Sequence, residues 1–223
     1  MAFSHGAKGR LTDHDLDRFP EDTLFDRIAR AVCHAGCLPR KELFEAWEVA
    51  RRTRRLFRGG RVVDLAGGHG LLAQIMLLLD DSSPEACVVD PAIPPSSTAL
   101  HDALVREWPR LAERVHFVAS PIESFAMLES DVAVSSHACG ALTDEILRHA
   151  INVRARVAVL PCCHDFETCD AGPLTGWVDQ SLAIDIMRAT RLEQQGYRVW
   201  TQTIPEEITP KHRLLLGVPI RSA

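Results

Sequence analysis

Apolar residues follow two rhythms along this chain. Short unbroken runs predict strands over residues 61–65, 86–90, 115–119, 131–135 and 157–160. Runs with apolar positions three and four apart predict helices between them. These cover residues 71–79, residues 95–108 with Leu100, Leu104 and Trp108 on one face, and about 142–150. A long helix fits residues 178–195, and Gly196 ends it. Residues 197–204 and 212–218 then predict two strands joined across 205–211. Upstream, Asp22 or Thr23 caps a helix running to about His34, with Leu24, Ile28 and Val32 on one face and Gly36 at its end. A second helix follows Pro39 and carries Leu43, Ala46, Trp47 and Ala50 at helical spacing. Residues 1–20 are polar and predict a loose or docked arm.

Alternation of strand and helix predicts an α/β fold with a doubly wound, mostly parallel sheet of seven strands. The last two strands have no helix between them, so they are expected to pair as an antiparallel hairpin at one edge. The chain of 223 residues is expected to hold an N-terminal arm and helices over 1–58 and a ligand-binding unit over 59–223.

Composition narrows the setting. Hydrophobic residues make up 46% of the chain, ample for a core. The mean hydropathy of -0.03 and the lack of a long uncharged apolar run argue against a membrane span. The first residues lack the apolar centre of a secretory signal. Seven cysteines, two of them adjacent, make no disulfide framework, and a reducing, cytoplasmic location is expected. A formal net charge of -5 carries no overall nucleic-acid signature.

The chemistry centres on residues 61–72, where a strand ends in Asp64 and runs through Ala66, Gly67, Gly68, His69 and Gly70 into a helix. Such a turn lets backbone approach a ligand closely, and the helix start presents free N–H groups. It is also an ordinary strand-to-helix turn. Asp90 tips the balance, because it ends the next strand at the spacing of a ribose-binding acid. Arg51, Arg52, Arg54, Arg55 and Arg58 end the second helix. They read as a solvated helix end that complements the dipole, or more sharply as a phosphate-contacting patch.

The run from Val62 to Gly70 resembles the first motif of class I S-adenosylmethionine-dependent methyltransferases, with Ala66 in place of that motif's first glycine. The resemblance covers roughly residue 43 to the C-terminus. It implies a Rossmann-like fold and S-adenosyl-L-methionine as cofactor, held by Asp64, Ala66, Gly67, Gly68, Gly70, Asp90, Pro91, Ile122 and Ser136. Ile122 stands for the adenine contact, because Pro121 occupies the place of the usual acid. A narrower resemblance rests on His137-Ala138-Cys139-Gly140, on Pro161-Cys162-Cys163-His164, and on the ending at residues 208–214. That branch includes tRNA 2′-O-methyltransferases of the acceptor stem and a methyltransferase-like domain of a glutathione S-transferase C-terminal-domain-containing protein. It suggests tRNA as methyl acceptor, a small molecule or a protein side chain stays open, and no membrane partner is expected.

His137, Cys139, Cys162, Cys163 and His164 are the candidate catalytic residues, at the ends of the fourth and fifth strands. Three readings stand. A histidine is a general base, the thiols and imidazoles bind a soft metal or metalloid, or the cysteines are small apolar packers. Cys169 can join through its loop. No metal site is assigned. Cys33, His34 and Cys37 read as core or surface helix. Asp144 reads as a helix cap, and Asp185 with Arg188 as a solvated pair. The alternative to an enzyme is a metal- or partner-binding module on the same fold. A nicotinamide dehydrogenase is disfavoured by the C-terminal hairpin.

Overall fold

The computed structural model describes residues 4–220, so the first three residues of the expected arm lie outside it. Seven strands form one sheet: β1 (Val62–Leu65), β2 (Ala86–Val89), β3 (Val115–Val118), β4 (Val132–Ser135), β5 (Arg156–Val159), β6 (Tyr197–Thr203) and β7 (Arg213–Pro219). Their order is β3-β2-β1-β4-β5-β7-β6. β1 to β5 are parallel, and β7 is antiparallel to both β5 and β6. The hairpin therefore does more than decorate an edge. β7 inserts beside β5, and β6 becomes the edge strand.

Helices cover both faces, and each face is built from alternate strand residues. Val62, Val88, Val132, Val134, Ala158, Leu214 and Leu216 face one way. They pack with α1 (Leu24–Ala35), α2 (Arg40–Leu56), α3 (Leu71–Leu79) and α4 (Ser97–Glu107). Val63, Leu65, Val89, Ala133, Val157, Val159 and Leu215 face the other way, against α5 (Ala141–Val153) and α6 (Gln180–Gln194). The Thr23 hydroxyl caps α1 by accepting from the Asp26 N–H, and Gly36 ends that helix in the left-handed region. α3 is apolar on nearly all sides and is buried against α2, β1 and β2.

The N-terminal arm is docked. Leu11 and Phe19 are buried in the first core, and the Leu11 N–H donates to the Leu38 carbonyl at 3.0 Å.

Two charged groups expected at the surface are interior. Arg54 is 2% exposed and reaches the carbonyls of Met76 and Phe57, the Ser83 hydroxyl and Asp80. Arg51 and Arg52 pair with Glu48, and Arg58 donates to the Leu79 carbonyl. Of this arginine run Arg54 alone is buried, whereas Arg55 and Arg58 are exposed. The pair Asp185 and Arg188 is likewise no solvated pair. Arg188 is 1% exposed and joins Asp144, Asp185 and the Gly140 carbonyl. Asp144 serves that network, with Arg191, in place of a cap. Buried arginines like these require such complete pairing, since an unpaired buried charge costs several kcal/mol.

Among the described residues, no helix is long and apolar enough to cross a membrane.

Candidate active site

Sequence and sheet topology meet at the C-terminal ends of β1, β2 and β4. A parallel α/β sheet opens a crevice there, where neighbouring connections diverge to opposite faces. The crevice is a cavity of about 370 Å³. Ala66, Gly67, Gly68 and His69 form its glycine-loop wall, Asp90 one end, and Ser136 and His137 the side from β4. Leu38, Glu42 and Ala46 close it from the N-terminal segment.

The glycines of the loop do different work. A side chain on Gly70 would sit 2.6 Å from Val88 Cγ2 and 3.1 Å from Phe117 Cε1, at φ +72°. Gly67 is equally confined, 2.8 Å from Val88 Cγ1 and 2.9 Å from the Asp64 carbonyl. Gly68 has φ +50° and open space where a side chain would stand. So Gly67 and Gly70 allow helix, loop and strand to pack, whereas Gly68 leaves room for a ligand. Ala66 holds φ +56°, an unusual value for a residue with a side chain.

Three acids frame the loop. The Asp64 carboxylate accepts the Ala73 N–H at 3.2 Å and so holds the first turn of α3. It is 2% exposed and does not line the cavity. Burial pushes its pKa up to about 7, with Asp90 adding repulsion. Asp90 accepts the Gly68 N–H at 3.1 Å and the Ala92 N–H at 2.9 Å. Glu42 on α2 has its carboxyl raised by burial and by Glu45.

His137 is held down to about 4 by burial, with Lys41 and His69 opposing further positive charge. It is therefore neutral across the physiological range. His69 bonds the Ser96 hydroxyl at 2.9 Å. His164 lies elsewhere. Its side chain is 1% exposed and its Nε2 is 2.8 Å from Asp185, inside the network of Arg188 and Arg213. It holds its loop and does not face the cavity.

Beyond Ser135 and Val159 the β4 and β5 chains meet again in a bridge between Cys139 and Cys163, and the Gly140 N–H donates to the Cys163 carbonyl at 3.1 Å. The Sγ atoms of Cys139, Cys162 and Cys163 lie within 4.8 Å of one another. Cys139 and Cys163 are exposed, which removes the packing reading for them. Cys169 does not join. It is buried against Arg188. Pro91 is exposed beside Asp90. Ile122 is buried in the second core cluster and lines a separate small cavity with Glu145 and His149.

A family model described as a methyltransferase domain matches residues 48–166, just over half of the chain. The chain belongs to this methyltransferase family. Its sheet is the Rossmann-like sheet of class I methyltransferases. Its fold is shared with an O-methyltransferase family protein from Burkholderia thailandensis, with a TM-score of 0.54 and 18% identity, covering 92% of this chain and 62% of that one. The S-adenosylmethionine-dependent methyltransferase SibL, in its apo form, gives a TM-score of 0.53 and 20% identity, covering 92% and 65%. The Homo sapiens glutathione S-transferase C-terminal domain-containing protein is 25% identical over 202 residues, covering 73% of this chain and 30% of that protein. This methyltransferase thus spans about a third of the length of such curated relatives.

The N-terminal wall is the part of the methyltransferase cavity that sequence reasoning missed. Glu42 and Ala46 sit four residues apart, which puts them on one face at the start of α2, and Leu38 lies just before that helix. An acid in that otherwise apolar row is the signal that marks the wall.

Proposed function

We propose that this methyltransferase transfers the methyl group of S-adenosylmethionine to an oxygen or nitrogen of its acceptor, with His137 taking the proton. The observation that carries the reading is the single cavity shared by Gly68, Asp90 and His137. Its volume falls in the range of about 300–1,000 Å³ found for small-molecule sites. The residues fit the cofactor. Gly68 leaves a cradle that a side chain would fill, Asp90 offers a carboxylate to ribose hydroxyls, and Glu42 offers charge to a cationic ligand. S-adenosylmethionine, when bound, supplies an electrophilic methyl group.

The protein's own part is alignment and proton removal. Gly67, Gly68 and Asp90 would seat the ribose end, with Asp64 and Gly70 holding the helix start against the sheet and Ala66 and Ser136 shaping the wall. Pro91 lies beside Asp90 outside the cavity lining and Ile122 lines a different cavity, so neither is given a cofactor contact in this reading. A neutral His137 can accept a proton from a hydroxyl or amine. Burial of Arg54 and the pairing of Arg51 and Arg52 with Glu48 thin the arginine patch that would contact RNA, and with a net charge of -5 a small hydroxyl- or amine-bearing acceptor is favoured over tRNA.

Calorimetry with S-adenosylmethionine and S-adenosylhomocysteine tests the cofactor half, with Asp90→Ala alongside. Micromolar binding that weakens at least tenfold in the variant is expected, and equal binding would refute the assignment of Asp90. Transfer of labelled methyl groups to pooled tRNA or to a small-molecule library then tests the acceptor half. Labelling confined to tRNA would overturn the preference for a small molecule.

A further inference from the structure

We infer that Cys139, Cys162 and Cys163 form a three-thiolate site for zinc, with a fourth coordination position open to an exogenous ligand. The three sulfurs lie within 4.8 Å of one another, and among the described residues they are the one group of three or more potential ligands brought so close together. Zinc bound by sulfur at about 2.3 Å places its thiolates about 3.8 Å apart, within that span. The donor set is all sulfur, which selects soft or borderline ions over magnesium or calcium. Three protein ligands without a fourth is the pattern of zinc sites that keep a position for water or substrate.

The backbone holds the trio in place from both sides. The Cys139–Cys163 bridge and the Gly140 N–H join the two strand ends, and Arg188 donates to the Gly140 carbonyl at 3.0 Å. A side chain on Gly140 would sit 3.1 Å from Asp165 Cβ, so the turn is tightly packed. Exposure of Cys139 and Cys163 leaves an entry path. The imidazole of His164 is not within 4.8 Å of all three sulfurs, so it is not counted as the fourth ligand. The Sγ atoms of Cys139 and Cys162 are 2.8 Å apart. They must separate by about 1 Å to share a zinc ion, and a disulfide between them is the competing outcome.

His137 stands two residues before Cys139 and lines the methyl-transfer cavity. A metal at the trio would lie on the acceptor side, where a zinc-bound hydroxyl or thiol loses its proton more readily. The site itself does not depend on that reading, because its test needs no methyl transfer.

The test uses the full chain, reduced, stripped with chelator and kept anaerobic. Cobalt(II) is titrated in, then zinc(II). One cobalt per chain with a thiolate-to-metal charge-transfer band is expected, bleached by one equivalent of zinc. Cys139→Ser and Cys163→Ser should each weaken zinc binding at least tenfold, whereas Cys37→Ser should not. Added azide should shift the cobalt spectrum through the open position. Circular dichroism and S-adenosylhomocysteine calorimetry on each variant separate loss of metal from loss of fold or cofactor. A folded protein that gives no band, or a Cys139–Cys162 disulfide in place of bound metal, would overturn the inference. An azide-insensitive band would overturn the open position.

Discussion

Replacing Gly68 and Gly70 by alanine, one at a time, separates ligand space from packing space within a single loop. Both glycines have positive φ, so each alanine carries backbone strain of about 1–2 kcal/mol. Each regains about 0.4–1 kcal/mol from a less flexible unfolded chain. Beyond that the two sites diverge. The Gly70 methyl would meet Val88 Cγ2 at 2.6 Å and Phe117 Cε1 at 3.1 Å. Such overpacking adds about 1–3 kcal/mol. Gly70→Ala should therefore cost about 1–5 kcal/mol net, and Gly68→Ala about 0–2 kcal/mol. For a chain of this size each kcal/mol lowers the Tm by roughly 2–4 °C, so the variants should melt roughly 2–18 °C and 0–6 °C below the parent. Affinity should rank the other way. The Gly68 methyl enters the cavity and should weaken S-adenosylhomocysteine binding by about 1–3 kcal/mol, or 10–200-fold. Differential scanning calorimetry and titration calorimetry on the same samples read both quantities. Parent-like affinity in Gly68→Ala would refute the cradle, and equal melting of the two variants would refute the packing argument.

Three further outcomes follow from the same geometry. His137 has its pKa lowered from 6.5 to about 4 by burial, so methyl transfer should keep its rate as pH falls through 6.5 and lose it only towards 4, and His137→Gln should lower kcat by roughly 10²–10⁴ and remove that limb. Asp64 has its pKa raised from 3.8 to about 7, so its protonated form is favoured by folding; stability is greatest below pH 3.8 on this account, falls as pH rises to 7 by up to about 4 kcal/mol, and Asp64→Asn should flatten that dependence in urea melts. Arg188→Ala leaves Asp144 and Asp185 without their buried partner and should cost about 3–5 kcal/mol in urea unfolding, whereas a cost below 1 kcal/mol would show that the network is solvated in solution.

The elements themselves were readable from local pattern. The predicted helix over 71–79 matches α3 at both ends, and all seven predicted strands lie within a residue of those observed. Strand identity depends on short apolar runs and on turn residues a few positions away, which are local properties. The glycine loop and Asp90 were visible for the same reason, since their spacing is set by one strand-helix-strand unit.

What required the tertiary structure was every relation between distant segments. Which of two adjacent histidine-bearing loops reaches the cavity depends on side-chain direction, and the fold turned His137 inward and tied His164 to Asp185. Arg54 and Arg188 look like surface residues in sequence because charge is usually solvated, yet they are held inside by partners 22 to 48 residues away. Insertion of β7 between β5 and β6 follows from hydrogen bonding across the sheet, which strand order along the chain does not specify. Glu42 became part of the site only when α2 folded over the strand ends. Local sequence pattern determined the parts of this methyltransferase, and long-range packing decided which of their side chains share one cavity.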